Sequence, residues 1–305
     1  MTDRAIGPVS FIGLGMMGLP MATRLLDAGH DMRGSDLSVE ARAAFAAKGG
    51  SAFETARQAA EGAGFVITML PDGGVVRQVL LGEGGIVGML APGALVIDMS
   101  SSDPLGTRSL AEELASRDIG FIDAPVSGGV KRAVDGDLAI MAGGDSSQIE
   151  RARPLFSVIG RNVFETGPVG SGHAVKALNN YVSAAGLTAA CEAAIVADSF
   201  GIDPAVLVDV LNASTGKNNS TELKMKPFVL SGSFASGFAM ALMAKDLRLA
   251  ADLAERLGVD AQGVEAAAAL WANASSELGK AADHTEIYRF LAQRSASRGG
   301  KSWPG

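Results

Sequence analysis

One cysteine, three histidines and no block of basic residues occur in the chain, and each scarcity narrows what it can do. A single thiol closes no intrachain disulfide, which points to a reducing, cytoplasmic setting. Cys191 lies in an Ala-rich stretch without a cationic neighbour to lower its thiol pKa, so it reads as a small buried filler rather than a nucleophile. His30, His173 and His284 are far apart and share no ligand spacing, so no metal is expected. The formal net charge is -7 without a cationic stripe, and nucleic acid is not an expected partner.

Unbroken apolar runs are scarce as well. The stretch after Arg4 is interrupted by Gly13, Gly15, Gly18 and Pro20, unlike the core of a signal peptide. Residues 181–202 are apolar but mostly Ala and carry Glu192 and Asp198, which suits a buried helix better than a membrane span; no membrane partner is expected.

What the chain does have is length and pattern. Its 305 residues, 48% of them apolar, suffice for two domains with separate cores. Up to about residue 165, β-rich runs at 9–12, 65–70, 94–98 and 138–141 alternate with helical patterns at 19–28, 39–48, 104–117 and 148–159. Several runs are apolar throughout, as in parallel strands covered on both faces, so the first half reads as a doubly wound α/β domain. After Gly172 the strand signals stop and Ala- and Leu-rich helices follow. The reading is therefore an N-terminal Rossmann sheet over 1–165 and an all-helical domain over 166–305.

The six residues Gly13, Leu14, Gly15, Met16, Met17 and Gly18 follow a predicted strand and open a predicted helix. In that context the first glycine permits a tight turn, the second lets a pyrophosphate approach the backbone, and the third lets helix and strand pack closely. Asp36 stands 18 residues past Gly18, at the end of the second predicted strand, where a carboxylate accepts from ribose hydroxyls. The expected cofactor is NAD, with NADP as the alternative.

With these residues in view, the sequence resembles the β-hydroxyacid dehydrogenase family over nearly its whole length. The resemblance rests on Phe11 through Ala22, on Asp123-Ala124-Pro125-Val126-Ser127-Gly128-Gly129, on Gly170-Ser171-Gly172 leading to Lys176 and Asn179-Asn180, and on Lys245-Asp246-Leu247. One departure is Arg24, which stands where the family usually has Asn and bears on fine cofactor contacts. The resemblance implies a Rossmann domain, a helical second domain, a cleft between them and assembly into homodimers or homotetramers. It also implies that Leu70, Pro71, Ser101 and Lys245 contact the cofactor, and that Ser127, Gly128 and Gly129 hold a substrate carboxylate.

Moving hydride between a nicotinamide and an alcohol carbon needs a group that takes or gives the hydroxyl proton. Lys176 is the candidate. A free lysine, with a pKa of about 10.4, is too basic for that task near neutrality, so burial and a second cation such as Lys245 would have to lower it. Asn180, four residues on, can share the helix face of Lys176 and bind substrate or orient the amine, and His173, three residues earlier, could flank it. The expectation is an NAD(P)-dependent oxidoreductase acting on a small 3-hydroxy acid: 3-hydroxyisobutyrate or a relative such as L-serine, L-threonate or tartronate semialdehyde. Two alternatives stand beside it. One is a non-catalytic dinucleotide sensor, against which the Lys176, Asn180 and Ser127 set argues. The other is a semialdehyde or imine reductase of the same superfamily; imine-reducing relatives usually replace the lysine. The polar loop 218–221 reads as a cap for the helix at Glu222 or as a substrate-side loop.

Overall fold

The computed structural model describes residues 7–297. These residues divide into two compact units, the first ending at Lys176 and the second beginning at Ala177.

In the first unit strands and helices alternate as β1 (Val9–Ile12), α1 (Gly18–Asp27), β2 (Met32–Ser35), α2 (Val39–Ala47), β3 (Ser51–Phe53), α3 (Ala56–Ala60), β4 (Phe65–Thr68), α4 (Gly73–Leu81), β5 (Leu95–Asp98), α5 (Pro104–Ala115) and β6 (Gly120–Asp123). There follow β7 (Val126–Ser127), α6 (Gly129–Asp135), β8 (Leu138–Gly143), α7 (Ser146–Ile159) and β9 (Gly160–Gly167). The sheet runs in the order β3-β2-β1-β4-β5-β6, all parallel. Alternate side chains of one strand enter different cores: Phe65, Ile67, Leu95 and Ile97 pack on one face, Val66 and Val96 on the other. That two-sided burial is why these strands read as continuous apolar runs.

The sheet departs from the parallel expectation at its far edge. The strand at 138–141 runs antiparallel to β6, and β7 pairs antiparallel with it. The chain between β6 and β8 carries β7 and the seven-residue α6, and β7 pairs with β8 as an antiparallel neighbour instead of giving way to a parallel crossover. The final strand β9, parallel to β8, carries no apolar run, because most of its residues lie at an exposed edge.

The second unit is helical, as the loss of strand signals after Gly172 implies. Helix α8 (Ser171–Phe200) begins in the first unit and continues into the second, followed by α9 (Pro204–Ala213), α10 (Asn219–Leu223), a π-helical turn at Met225–Leu230, α11 (Met240–Arg256), α12 (Gln262–Leu278) and α13 (Ile287–Ser297). Its core gathers Leu187, Cys191, Met243, Leu247, Trp271, Tyr288 and Phe290. Cys191 is fully buried and burial pushes its thiol pKa up, as expected of a filler. By length and composition alone α8 is apolar enough to cross a membrane, yet its Ala184, Leu187, Ala190, Cys191 and Ala194 belong to this core.

Candidate active site

The glycine turn leaves the C-terminal end of β1, beside β4, where the strand order reverses direction. A Cβ on Gly13 would stand 2.2 Å from the Met69 carbonyl oxygen, and one on Gly18 would stand 1.9 Å from that of Gly13. Gly13 also has φ of +99°, which a side chain would strain. Both glycines are required by the protein itself. Gly15 is different: it is exposed, and a Cβ there would meet nothing within 4 Å, so its bare backbone faces open space. An approaching pyrophosphate needs such an opening at the start of a helix, and the dinucleotide fits the turn on that observation. Met16 is exposed and Met17 half-buried beside it.

Leu14 contributes only backbone here. Its side chain lies in the core, and its N–H donates to Asp36 Oδ2 at 2.7 Å. The other oxygen of Asp36 accepts from Ser38 N–H at 2.8 Å. The carboxylate therefore fixes the turn, and each of its oxygens retains a lone pair for a ribose hydroxyl. Two arginines sort themselves around it. Arg33 turns away to the Glu61 carbonyl, whereas Arg42, which carries no sequence signal, donates to the Asp36 carbonyl at 2.7 Å. Arg24 lies in the last turn of α1 and bonds the Val158 and Val134 carbonyls, so it ties helices together at the end remote from the phosphate turn.

The ends of β4 and β5 extend this edge. Leu70 N–H donates to Ser100 Oγ at 2.9 Å, joining the Met69-Leu70-Pro71 turn to the loop that carries Ser101. Asp98, fully buried, accepts from Thr68 Oγ1, Ser100 N–H and Ser102 Oγ and so stiffens both loops. Ser127 ends β7, half-buried, and its hydroxyl has no hydrogen-bond partner among the described residues. Gly128 and Gly129 follow with φ of +138° and +69°, conformations that explain two glycines in succession; the Arg132 side chain packs against Gly128, where a Cβ would meet its Cδ at 2.7 Å, whereas a Cβ on Gly129 would meet nothing within 4 Å.

His173 does not flank Lys176. Its ring is buried between the Asp98 and Asp123 carboxylates, 3.6 and 3.8 Å away, with Nε2 donating to the Ser100 carbonyl at 3.1 Å and Nδ1 2.8 Å from Thr107 Oγ1. Asp123 in turn accepts from the N–H groups of Gly170 and His173. Burial raises the Asp123 carboxyl pKa, against the pull of His173 and these N–H groups. A Cβ on Gly172 would meet the Met141 carbonyl oxygen at 2.2 Å, so the Gly-Ser-Gly entrance sets the start of α8 hard against the sheet. This anchoring positions Lys176, which lies half-buried on the second turn of α8.

Within the second unit, Asn180 is buried and held at both ends of its amide. Nδ2 donates to Asp246 Oδ2 at 2.6 Å, and Oδ1 accepts from Asn179 at 3.1 Å. Lys245 Nζ lies 3.4 Å from the other oxygen of Asp246. Asp246 is thus a functional candidate that sequence reasoning misses, although it stands inside the Lys245-Asp246-Leu247 motif. Further along α8, Ser183 Oγ lies 3.3 Å from Lys224 Nζ. The loop 218–221 is a helix cap: Asn218 accepts from Ser220 and Thr221 N–H.

Residues 8–167 match the family described as the NAD binding domain of 6-phosphogluconate dehydrogenase, and residues 170–291 match the one described as NAD-binding of NADP-dependent 3-hydroxyisobutyrate dehydrogenase. The chain is 38% identical to the 2-(hydroxymethyl)glutarate dehydrogenase of Eubacterium barkeri, over 79% of its own length and 80% of that enzyme. It is 39% identical to the NAD-dependent L-serine dehydrogenase of Pseudomonas aeruginosa, over 81% of this chain and 85% of the other. The solved structure of Mycobacterium tuberculosis 3-hydroxyisobutyrate dehydrogenase with L-serine superposes with a TM-score of 0.87 at 34% identity, covering 94% of this chain and 99% of that one.

Proposed function

From the premise that this chain belongs to the β-hydroxyacid dehydrogenase family, as an NAD(P)-dependent oxidoreductase, we propose that it interconverts a small 3-hydroxy acid and its semialdehyde, with Lys176 moving the hydroxyl proton. The carrying observation is on α8, where Asn180, one turn beyond Lys176, has its amide fixed by the buried Asp246. A fixed amide keeps one further N–H to hold a substrate oxygen beside the lysine.

The nicotinamide, when bound, supplies the hydride acceptor or donor. The residues of the chain do the rest. In the oxidative direction the neutral amine of Lys176 takes the hydroxyl proton as the C–H electron pair leaves with its hydrogen; in reduction the ammonium returns the proton to the carbonyl oxygen. The Ser127 hydroxyl and the Gly128 and Gly129 N–H groups are suited to the substrate carboxylate, which they would hold by hydrogen bonds. Lys245, anchored by Asp246, serves the cofactor side. For the dinucleotide, the Asp36 carboxylate favours a free 2′-hydroxyl over a 2′-phosphate, hence NAD over NADP.

Assembly of at least two copies is part of the proposal. Val175, Leu178, Val182, Val196 and Phe200 are exposed apolar side chains lying along one stripe of α8 at near-heptad spacing. A stripe of that length on the exposed side of a helix supports contact with a second copy there. A reducing cytoplasmic location suits the lone buried thiol.

A panel of 3-hydroxy acids with NAD and NADP, followed by absorbance of the reduced cofactor, tests the proposal. Turnover of 3-hydroxyisobutyrate or L-serine with NAD supports it. Tight cofactor binding without turnover of any member would instead indicate a sensor.

A further inference from the structure

Lys224 belongs to neither the cofactor set nor the substrate set named above. It is the last residue before the π-helical turn Met225–Leu230, and its carbonyl accepts from both Phe228 and Val229 N–H, the doubled pattern that widens the helix there. Such turns recur at functional sites, where they re-aim a side chain. Its ammonium is half-buried, and desolvation lowers its pKa. It donates to a neutral group, Ser183 Oγ at 3.3 Å, and among the described residues it forms no ion pair with a carboxylate within 4 Å.

The acid nearest in effect, Asp283, is already committed. Its oxygens accept from Ser236 Oγ, Thr285 N–H and Oγ1, Gly237 N–H and Phe238 N–H. His284, beside it, is neutral at pH 7, its pKa pushed down to about 4 by burial and by Lys224. A half-desolvated ammonium without a close counter-ion is uphill in free energy, and an anion arriving from solvent relieves that.

The place of this cation gives it a use. Ser183 is seven residues beyond Lys176 on α8, two turns along the same stripe that carries Asn180. About 10 Å of helix axis separates positions 176 and 183. We infer that Lys224, with Ser183, forms a second anion subsite at the far end of the substrate stripe, so that the preferred substrate is a hydroxy acid bearing a second carboxylate. This deepens the proposed function and rests on it.

Two probes isolate the effect. 3-Hydroxyisobutyrate and 2-(hydroxymethyl)glutarate share the reacting hydroxymethyl group and the adjacent carboxylate, and differ in that a methyl hydrogen of the first is replaced by an acetate arm. The readout is the ratio of kcat/KM for the dianion to that for the monoanion. The wild-type chain is expected to favour the dianion, Lys224→Met to lower the ratio about 30-fold, the equivalent of about 2 kcal/mol, and Lys224→Arg to retain most of it. A ratio that is the same in wild type and Lys224→Met overturns the inference, even if both rates fall together as they would for a purely structural lysine. Turnover of 3-hydroxyisobutyrate without preference for the dianion overturns this inference alone. Turnover of L-serine but of neither probe likewise overturns this inference alone, and turnover of no 3-hydroxy acid in the panel overturns both it and the proposed function.

Discussion

His284 offers a direct test of how the second unit is held together. It is 3% exposed, stacks on Trp271 and meets Phe238 edge-on, and its pKa is pushed from 6.5 to about 4, first by burial and then by the charge of Lys224. Because the folded pKa lies below the unfolded one, the imidazole contributes stability that is fully present above pH 6.5 and is lost as pH falls toward 4. At about 1.4 kcal/mol for each pH unit between those limits, the loss amounts to about 3 kcal/mol. Asp283, whose pKa burial raises but its Thr285, Ser236 and Gly237 hydrogen bonds together bring below the ordinary value, loses its own contribution only below the ordinary carboxylate range, so the two windows separate. Urea unfolding of the wild-type chain and His284→Gln at about pH 7.5, 6.5, 5.5 and 4.5 reads the difference. The stability gap between wild type and variant should narrow, or invert, by about 3 kcal/mol on acidification, because glutamine has no proton to gain. A gap constant across that range would refute the claim that a neutral, desolvated imidazole sits at this position.

The glycine turn predicts opposite outcomes for neighbouring substitutions. Gly13→Ala, whose Cβ would meet the Met69 carbonyl, should destabilise the chain by about 3 kcal/mol or more in chemical denaturation. Gly15→Ala should leave the melting temperature close to wild type while weakening NAD binding about tenfold in titration calorimetry, since only the approach of the pyrophosphate is obstructed. On the exposed stripe of α8, Val182→Glu should shift the mass in light scattering toward the monomer, and an unchanged oligomer would remove α8 from the interface.

Much of this architecture is legible in the sequence, for local reasons. Strand β1 falls on the apolar run 9–12, and the helices expected at 19–28 and 39–48 shift by only a residue, because apolar periodicity and glycine punctuation record short-range constraints. The motif from Gly13 to Gly18 carries its strand and helix context with it. What stays hidden depends on partners distant in sequence. His173 reads as a neighbour of Lys176 on a helix, yet its ring is claimed by Asp98 and Asp123, 75 and 50 residues away. Asp246 reads as part of a Lys-Asp-Leu motif until its oxygen is seen on Asn180, 66 residues earlier. Strand β9 is hidden for a different reason, since an exposed edge needs no apolar run.

The central claim is that Lys176 moves the proton that accompanies hydride transfer. Its most direct measurement compares wild type with Lys176→Ala for kcat on whichever 3-hydroxy acid the wild type turns over, alongside the dissociation constant for NAD. A fall in kcat of about a thousandfold with NAD affinity within about twofold is the predicted result. A variant that retains a tenth or more of the wild-type rate would contradict it.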